Sequence, residues 1–207
     1  MGSQAGRADA ALRVAVLAGR AGRNLLTDLR HGHLMVAGAD NSDYRALREV
    51  FAGRVREGDV LIDVGCGRGR VLATWLDYYP DHRIVGIELN PDVAAATQQR
   101  FASHPQLSVV CGDAVTVCPP EATLLFLFNP FDRATMTRLR DELTARPPTI
   151  PPMRVLYTNA KDADLFEESM GWRTTRVPIG SSRVVPHHDL VVIDRAQRPR
   201  EADAAAD

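Results

Sequence analysis

The chain has 207 residues, of which 45% are hydrophobic and 25% are charged, and its formal net charge is −1. This length suits one well-buried core, and this composition excludes a largely disordered chain. The near-neutral charge argues against a nucleic-acid partner, and no apolar run approaches the roughly 20 residues of a membrane span. We therefore expect a cytoplasmic protein with neither kind of partner.

The N-terminal residues 1–43 predict a helical cap before the main fold, after a short start that we expect to be disordered. Apolar residues recur at helical spacing over 8–29, and a glycine-bearing stretch at 31–41 interrupts the pattern. Ser42 or Asp43 suits the cap of a further helix. One face of that helix carries Tyr44, Leu47, Val50 and Phe51.

Strand and helix patterns then alternate with short connections, which is typical of a parallel sheet covered by helices on both faces. The fourth predicted strand is apolar throughout, as expected for a central strand buried on both faces. The predicted strands are 60–64, 83–87, 107–111, 123–128, 155–158, 173–177 and 190–193. The predicted helices between them are 71–78, 91–101, 134–146 and 162–170, the second with Asn90 as its cap and Pro91 in its first turn.

A glycine-rich turn directly follows the first strand. The chain there runs Asp63, Val64, Gly65, Cys66, Gly67, Arg68 and Gly69 into a helix. Glycine at every second position lets the backbone turn sharply and approach a ligand closely, and N–H groups at the helix start offer donors. The alternatives are a tight structural turn and a nicotinamide-nucleotide site, although this spacing does not fit the Gly-x-Gly-x-x-Gly dinucleotide fingerprint.

Carboxylates follow the ends of the next two strands. Glu88 ends the second strand, and Asp113 comes just after the third. Because ligands of open α/β sheets bind at the carboxyl ends of the strands, we expect both to share one crevice with Asp63. A carboxylate at the position of Glu88 can accept hydrogen bonds from ribose hydroxyls, and the further acid fits an adenosine bound without a pyrophosphate.

From residue 44 to 194, the order of motifs and strands resembles that of the class I S-adenosylmethionine-dependent methyltransferases. The resemblance implies a Rossmann-like α/β domain with a seven-stranded, mostly parallel sheet, whose last strand is antiparallel. It also implies S-adenosyl-L-methionine as the cofactor. Residues 195–207 are then a polar tail that we expect to be disordered.

The same resemblance assigns cofactor contacts to individual residues. The backbone of the glycine turn would hold the methionine part, and Glu88 the ribose. Leu89 would lie beside the adenine, with Asp113 accepting from the adenine amino group and Ala114 offering a backbone donor. The implied cofactor-binding residues are Asp63, Gly65, Cys66, Gly67, Gly69, Glu88, Leu89, Asp113, Ala114 and Asn129. To these we add Tyr44, whose hydroxyl either meets the cofactor carboxylate or packs on its own helix.

The fourth strand runs into Asn129, Pro130 and Phe131. This turn is similar to the Asn/Asp-Pro-Pro-Tyr/Phe motif of amino-group methyltransferases, without its second proline, and to a motif of small bacterial methyltransferases. The resemblance implies these three residues as the catalytic turn, in which the amide and a proline carbonyl accept hydrogen bonds from the target nitrogen. The alternative is structural: Asn-Pro ends the strand, Phe131 belongs to the core and Asp132 caps the next helix.

We therefore predict a methyltransferase that acts on a small molecule, with nitrogen favoured over oxygen or carbon as the acceptor atom. The alternatives are a protein or nucleic-acid methyltransferase and a non-catalytic S-adenosylmethionine-binding protein. His187 or His188 is either a base for an oxygen acceptor or a solvated loop residue, and Arg68 and Arg70 are either ligand contacts or solvated. Three cysteines without metal-ligand spacing, Cys66, Cys111 and Cys118, predict neither a disulfide nor a metal site, and His31 and His33 lack nearby acidic ligands.

Overall fold

The structure, a computed structural model, describes residues 44–149, 151–179 and 190–196. The strands in these ranges are β1 (Val60–Val64), β2 (Arg83–Glu88), β3 (Leu107–Cys111), β4 (Leu124–Phe128), β5 (Arg154–Thr158), β6 (Trp172–Val177) and β7 (Leu190–Arg195). The helices are α1 (Tyr44–Phe51), α2 (Arg70–Tyr78), α3 (Pro91–Arg100), α4 (Ala114–Val117), α5 (Arg133–Ala145) and α6 (Asp164–Glu167).

The strands form one seven-stranded sheet in the order β3-β2-β1-β4-β5-β7-β6. The first five strands pair in parallel, whereas β7 is antiparallel to both β5 and β6. This architecture confirms the predicted Rossmann-like α/β fold. Because the strand order reverses between β1 and β4, the connections there leave in opposite directions and open a crevice at the carboxyl ends of the strands.

Strand β4 shows how the sequence builds two core layers. Its side chains alternate, so Leu125 and Leu127 join the layer beneath α5, while Leu124 and Phe126 join the layer beneath α1 and α2. All four are fully buried or nearly so, which stabilises the fold by roughly 1.5–3 kcal/mol for each side chain. The prediction of a central strand buried on both faces is confirmed.

Helix caps fix the entry of the chain into the helices near the crevice. The Asn90 side chain accepts hydrogen bonds from the N–H groups of Asp92 (3.0 Å) and Val93 (3.2 Å), and Pro91 is the first residue of α3. The predicted cap of α3 is therefore confirmed. Asp132 caps α5 in the same way, through a 2.9 Å bond from the Thr135 N–H.

Most predicted bounds agree with the structure to within two residues, and three differences have a physical reason. The predicted helix 162–170 is reduced to α6, at whose start Ala163 offers no side-chain cap. The unpredicted helix α4 forms because the Asp113 carboxylate accepts the N–H of Val115, although its β-branched residues favour strands. Arg195, the first residue of the predicted tail, is the last residue of β7.

Several predicted segments lie outside the described residues. They include the cap helices with the stretch 31–41, the pair His31 and His33, residues 197–207 of the tail, and the pair His187 and His188. Within the described ranges, the helices are too short or too polar to cross a membrane.

Candidate active site

The glycine turn between β1 and α2 has positive φ angles, which glycine adopts without strain. Gly65, Gly67 and Gly69 have φ values of 78°, 50° and 79°. A Cβ on Gly69 would lie 2.5 Å from a ring carbon of Phe101, so this glycine permits the close packing of α3. A Cβ on Gly67, in contrast, would meet no described atom within 4 Å. The turn therefore faces open space where a ligand could contact its backbone.

Glu88 joins the end of β2 to this turn. Its carboxylate accepts the N–H groups of Gly67 and Asn90, each at 2.9 Å. A carboxylate offers about four acceptor positions, so these two bonds orient Glu88 and leave capacity for ligand hydroxyls. The neighbouring Leu89 is 71% exposed, so its side chain is accessible to an apolar ring placed beside it.

Asp63 is the acid beneath the turn, near the end of β1, and its side chain is only 4% exposed. Burial, followed by the negative charge of Glu88, raises the pKa of Asp63 to about 8. The carboxyl group is consequently protonated at neutral pH. A cation placed above the turn would favour its ionised form.

Cys66 supports the turn from below. Its thiol is buried, and a Cβ on Gly86 would lie 2.7 Å from its sulfur. The Cys66 N–H and carbonyl bond to Ile87 (2.9 Å) and Gly69 (2.8 Å). Burial, and then the charges of the neighbouring acids, raises the pKa of the thiol above its usual range, so Cys66 is no nucleophile.

Asp113 lies at the same edge, because the N–H of Gly112 donates to the Glu88 carbonyl at 3.0 Å. One Asp113 oxygen caps α4 through Val115, and the other forms an ion pair with Arg138 at 3.3 Å. The predicted adenine acceptor thus already has two partners. Ala114, the predicted backbone donor, begins α4 with its side chain buried.

The turn after β4 places Asn129 beside the glycine turn. A Cβ on Gly65 would lie 3.4 Å from the Pro130 Cβ, so the two turns are in contact. Asn129 has φ 42°, which is unusual for a residue other than glycine, and its Oδ1 accepts the Tyr157 hydroxyl at 2.9 Å. Phe131 is half-buried against the core, and Asp132 caps α5. The structural features of the alternative interpretation are therefore present, and the positive φ of Asn129 is compatible with it, because asparagine tolerates this conformation in turns.

Sequence reasoning missed two residues here, Tyr157 and Asn159. Asn159 is the residue directly after β5, and its φ of 49° matches that of Asn129. The signal that was available is the repetition of an asparagine after two consecutive strands. The hydrogen bond of Tyr157 depends on strand pairing and has no local signature.

The other predicted contacts are more peripheral. Tyr44 begins α1, but its hydroxyl lies outside what the structure describes. Helix α1 packs on α2, with the rings of Phe51 and Trp75 5.2 Å apart. The backbone carbonyl of Arg68 accepts the Arg100 guanidinium, while the Arg68 side chain is exposed.

Comparison with known proteins identifies the central part of the chain. Residues 61–144 match the family described as a methyltransferase domain. This range makes up about two fifths of the chain and is similar to a methyltransferase domain. Over 74 residues it is 39% identical to the ribosomal RNA small subunit methyltransferase A of Synechococcus sp. (strain CC9311), covering 34% of this chain and 25% of that protein.

Solved structures share the fold at low identity. The mitomycin 7-O-methyltransferase MmcR has a TM-score of 0.59 at 21% identity, covering 73% of this chain and 53% of that chain. Human N-acetylserotonin methyltransferase in complex with S-adenosylmethionine has a TM-score of 0.57 at 16% identity, covering 75% and 52%. The chain thus spans about a quarter of the matched ribosomal RNA enzyme and about half of these two solved chains.

The chain shares the fold of these solved methyltransferases, and S-adenosylmethionine is the cofactor that the family match and the fold imply. All predicted site residues except Tyr44 lie within the matched range 61–144. The structure brings the ends of β1, β2, β3 and β4 to one edge of the sheet, and with them Asp63, Glu88, Asp113 and Asn129.

Proposed function

We propose that this protein transfers the methyl group of S-adenosylmethionine to a small molecule, with nitrogen favoured as the acceptor atom. The observation that carries the proposal is the contact between two turns of the matched range 61–144. Pro130 lies against Gly65, which supports a position of the neighbouring Asn129 close to the glycine turn. A cofactor held by one turn would thus present its methyl group beside the other.

The residues of the crevice fit this cofactor. In the proposed assignment, the backbone of the glycine turn holds the methionine part, and Glu88 binds the ribose hydroxyls with its remaining acceptor positions. The exposed Leu89 packs on the adenine, near Asp113 and the Ala114 backbone. Cys66 contributes by shaping the turn, since its side chain and its backbone groups are engaged within the protein.

When bound, the cofactor supplies an electrophilic methyl group on a positively charged sulfur. The protein has to orient the acceptor and exclude water, because methyl transfer disperses this charge and favours a weakly polar surrounding. Orientation alone can contribute roughly 7–11 kcal/mol to such a reaction. In the proposal, the Asn129 Oδ1 and the Pro130 carbonyl accept hydrogen bonds from the target nitrogen, while Phe131 packs against the acceptor.

The first test is calorimetry with S-adenosylmethionine, S-adenosylhomocysteine and NAD. We expect the two sulfur compounds to bind and NAD not to bind. Failure of both sulfur compounds with folded protein would overturn the proposal. If they bind, a screen of amines, phenols and carbon acids with radiolabelled methyl donor identifies the acceptor, and binding without any transfer would favour a non-catalytic protein.

The variant Asn129→Gly tests the turn in that screen. Glycine adopts a positive φ without strain, so this change removes the amide while preserving the backbone path. We expect turnover to fall at least tenfold, and to fall by a larger factor than the affinity for S-adenosylhomocysteine. Wild-type turnover would make the turn structural.

RNA is a second candidate substrate, favoured by the 39% identity to a ribosomal RNA methyltransferase over 74 residues. Phosphate contacts make RNA binding strongly salt-dependent, unlike binding of a neutral small molecule. Methylation of small-subunit ribosomal RNA that falls steeply between 50 and about 200 mM salt would support this candidate. RNA left unlabelled at low salt, beside an active small-molecule acceptor, would exclude it.

A further inference from the structure

Two asparagines share an unusual backbone conformation at the ends of neighbouring strands. Asn129 and Asn159 have φ values of 42° and 49°, and they are the only residues other than glycine with positive φ in the described ranges. Strands β4 and β5 are parallel, with Phe128 paired to Thr158, so the two asparagines follow at equivalent positions. Neighbouring strands lie about 4.8 Å apart, which brings both residues to one place on the crevice edge.

Tyr157 connects β5 to the first of these asparagines. Its ring is fully buried, and its hydroxyl donates to the Asn129 Oδ1 at 2.9 Å. Burial raises the pKa of Tyr157, which keeps the hydroxyl protonated and able to donate. The amide of Asn129 is therefore held in one orientation by a side chain of the neighbouring strand.

An ion-pair network links the elements that follow the two turns. Arg133, at the start of α5, bonds Asp162 at 3.1 Å and Asp164 at 3.0 and 2.5 Å in the segment that follows Asn159. The bond to Asp164 is bidentate, a geometry that adds directional constraint. These ion pairs join the start of α5 to the segment after β5, next to the two turns.

The backbone conformation is compatible with a structural turn, because asparagine adopts positive φ more readily than most residues other than glycine. What these two turns add is a carboxamide side chain after each strand. The residues next to the two asparagines include the uncharged Pro130, Phe131, Thr158 and Ala160, whereas the charged Asp132 and Lys161 lie further along each turn. Two neighbouring amides offer directional hydrogen-bond acceptors to a ligand.

We propose that Asn159 is a second acceptor-binding side chain and that Tyr157 is the positioning residue of Asn129. The proposal rests on the proposed methyl transfer, because it assigns these residues to the acceptor side of that site. Asn129 and Asn159 then hold the incoming group from two neighbouring strand ends, and Tyr157 acts through the amide of Asn129.

A probe that reaches past the cofactor tests the proposal before the acceptor is known. It is an analogue of S-adenosylhomocysteine in which nitrogen replaces sulfur and carries a 2-aminoethyl group where the methyl group would stand. Its ammonium group extends toward the acceptor side, where amide oxygens can accept hydrogen bonds from its N–H groups. The affinity of this analogue relative to S-adenosylhomocysteine reports the acceptor-side contacts.

For Asn159→Gly we expect the affinity for the analogue to fall by roughly tenfold to a hundredfold, the usual worth of a hydrogen bond to a charged group. Affinity for S-adenosylhomocysteine should stay within about twofold of wild type, because that compound lacks the extension. An unchanged affinity for the analogue would overturn the role of Asn159. If wild type binds neither compound, the proposed function itself fails.

The role of Tyr157 is tested with Tyr157→Phe, which removes only the hydroxyl, in a double-mutant cycle with Asn129→Gly. We expect Tyr157→Phe alone to lower the affinity for the analogue about threefold to tenfold, and to have no further effect once the Asn129 amide is absent. An equal effect in both backgrounds would show that Tyr157 does not act through Asn129. If Tyr157→Phe alone unfolds, the affinity of the double variant for the analogue is compared with that of Asn129→Gly. Equal affinities are expected, because Tyr157 has no amide left to position.

Tyr79→Phe is the matched control. The Tyr79 hydroxyl also donates a partly buried hydrogen bond, to the Phe51 carbonyl at 3.1 Å, but it lies away from the crevice. It should leave binding of both compounds unchanged. Side-chain ¹⁵N relaxation adds a readout of positioning, because the Asn129 amide should become mobile in Tyr157→Phe and stay rigid in Tyr79→Phe. A rigid amide in both would contradict the proposal.

Discussion

At the scale of single residues, Asp63 carries the largest electrostatic consequence. A carboxyl with a folded-state pKa of about 8 and an ordinary value of 3.8 binds more protons in the folded than in the unfolded protein between these pH values. The free energy of unfolding therefore decreases as pH rises through this window. Burial of the Asp63 carboxyl therefore lowers the stability of the ligand-free protein as pH rises, and a cation bound nearby would stabilise the ionised carboxylate.

The variant Asp63→Asn should remove this pH dependence. We expect it to be more stable than wild type at pH 8, by up to about 5 kcal/mol, and the difference to shrink toward pH 4. Urea unfolding between pH 4 and 8 measures the effect. Asp81→Asn, which changes an exposed carboxylate, is the control for the loss of one charge. A difference between wild type and Asp63→Asn that does not vary with pH would contradict the assignment.

The residue scale also marks where sequence reasoning stops. The acids and glycines of the crevice were predictable, because each stands at a strand end in a recognisable motif. The hydrogen bond of Tyr157 to Asn129 was not, because it joins residues of two strands that become neighbours only in the sheet. The ion pair of Asp113 with Arg138 was missed for the same reason.

At the scale of elements, the glycine turn depends on how α3 packs against it. Gly69 faces the Phe101 ring and the Thr97 methyl group, which a Cβ would approach to 2.5 and 3.1 Å. The Thr97 hydroxyl also donates to the Gly67 carbonyl at 2.8 Å. The turn is thus shaped from one side by α3 and left open on the other.

Gly69→Ala should destabilise the protein by roughly 2–4 kcal/mol, since overpacking adds to the cost of a positive φ. Gly53→Ala is the matched control, with φ 69° and no described atom within 4 Å of its added Cβ. It should cost only about 1–2 kcal/mol. Chemical denaturation of both variants gives the difference, and equal losses would show that the contact with α3 does not matter.

Elements differ in how well their sequences predicted them. Strand β4 was predictable because five consecutive apolar residues between polar neighbours are typical of a strand that is buried on both faces of a parallel sheet. Helix α4 was not, since Val115 and Val117 favour strands and only the Asp113 cap starts the helix. The short α6 likewise depends on tertiary contacts of Phe166, whose ring packs edge-on against Trp172 at 5.4 Å.

At the scale of the whole molecule, ligand binding and stability should be linked. A ligand that binds only the folded state at a hundred times its dissociation constant adds about 2.7 kcal/mol to the free energy of unfolding. For a domain of this size we expect S-adenosylhomocysteine to raise the melting temperature by roughly 5–10 °C. Calorimetric melting at several ligand concentrations measures the shift.

Glu88→Ala should reduce this shift at fixed ligand concentration, because the proposed ribose contact is lost. The variant also loses the bonds to Gly67 and Asn90, so the shift must be compared with its own unliganded melting temperature. Glu121→Ala removes a surface carboxylate paired with Arg83 at the opposite edge of the sheet and should retain the full shift. Equal shifts in both variants would place the ligand elsewhere.

The strand order also governs how the protein can fold as it is synthesised. Strand β6 emerges from the ribosome before β7, yet its sheet neighbour is β7, which lies between β5 and β6. The parallel part of the sheet can assemble early, whereas β6 has to wait for residues 190–195 before it pairs. Until then the edge of β5 is unprotected, and it is the surface on which nascent chains would associate or a chaperone would act.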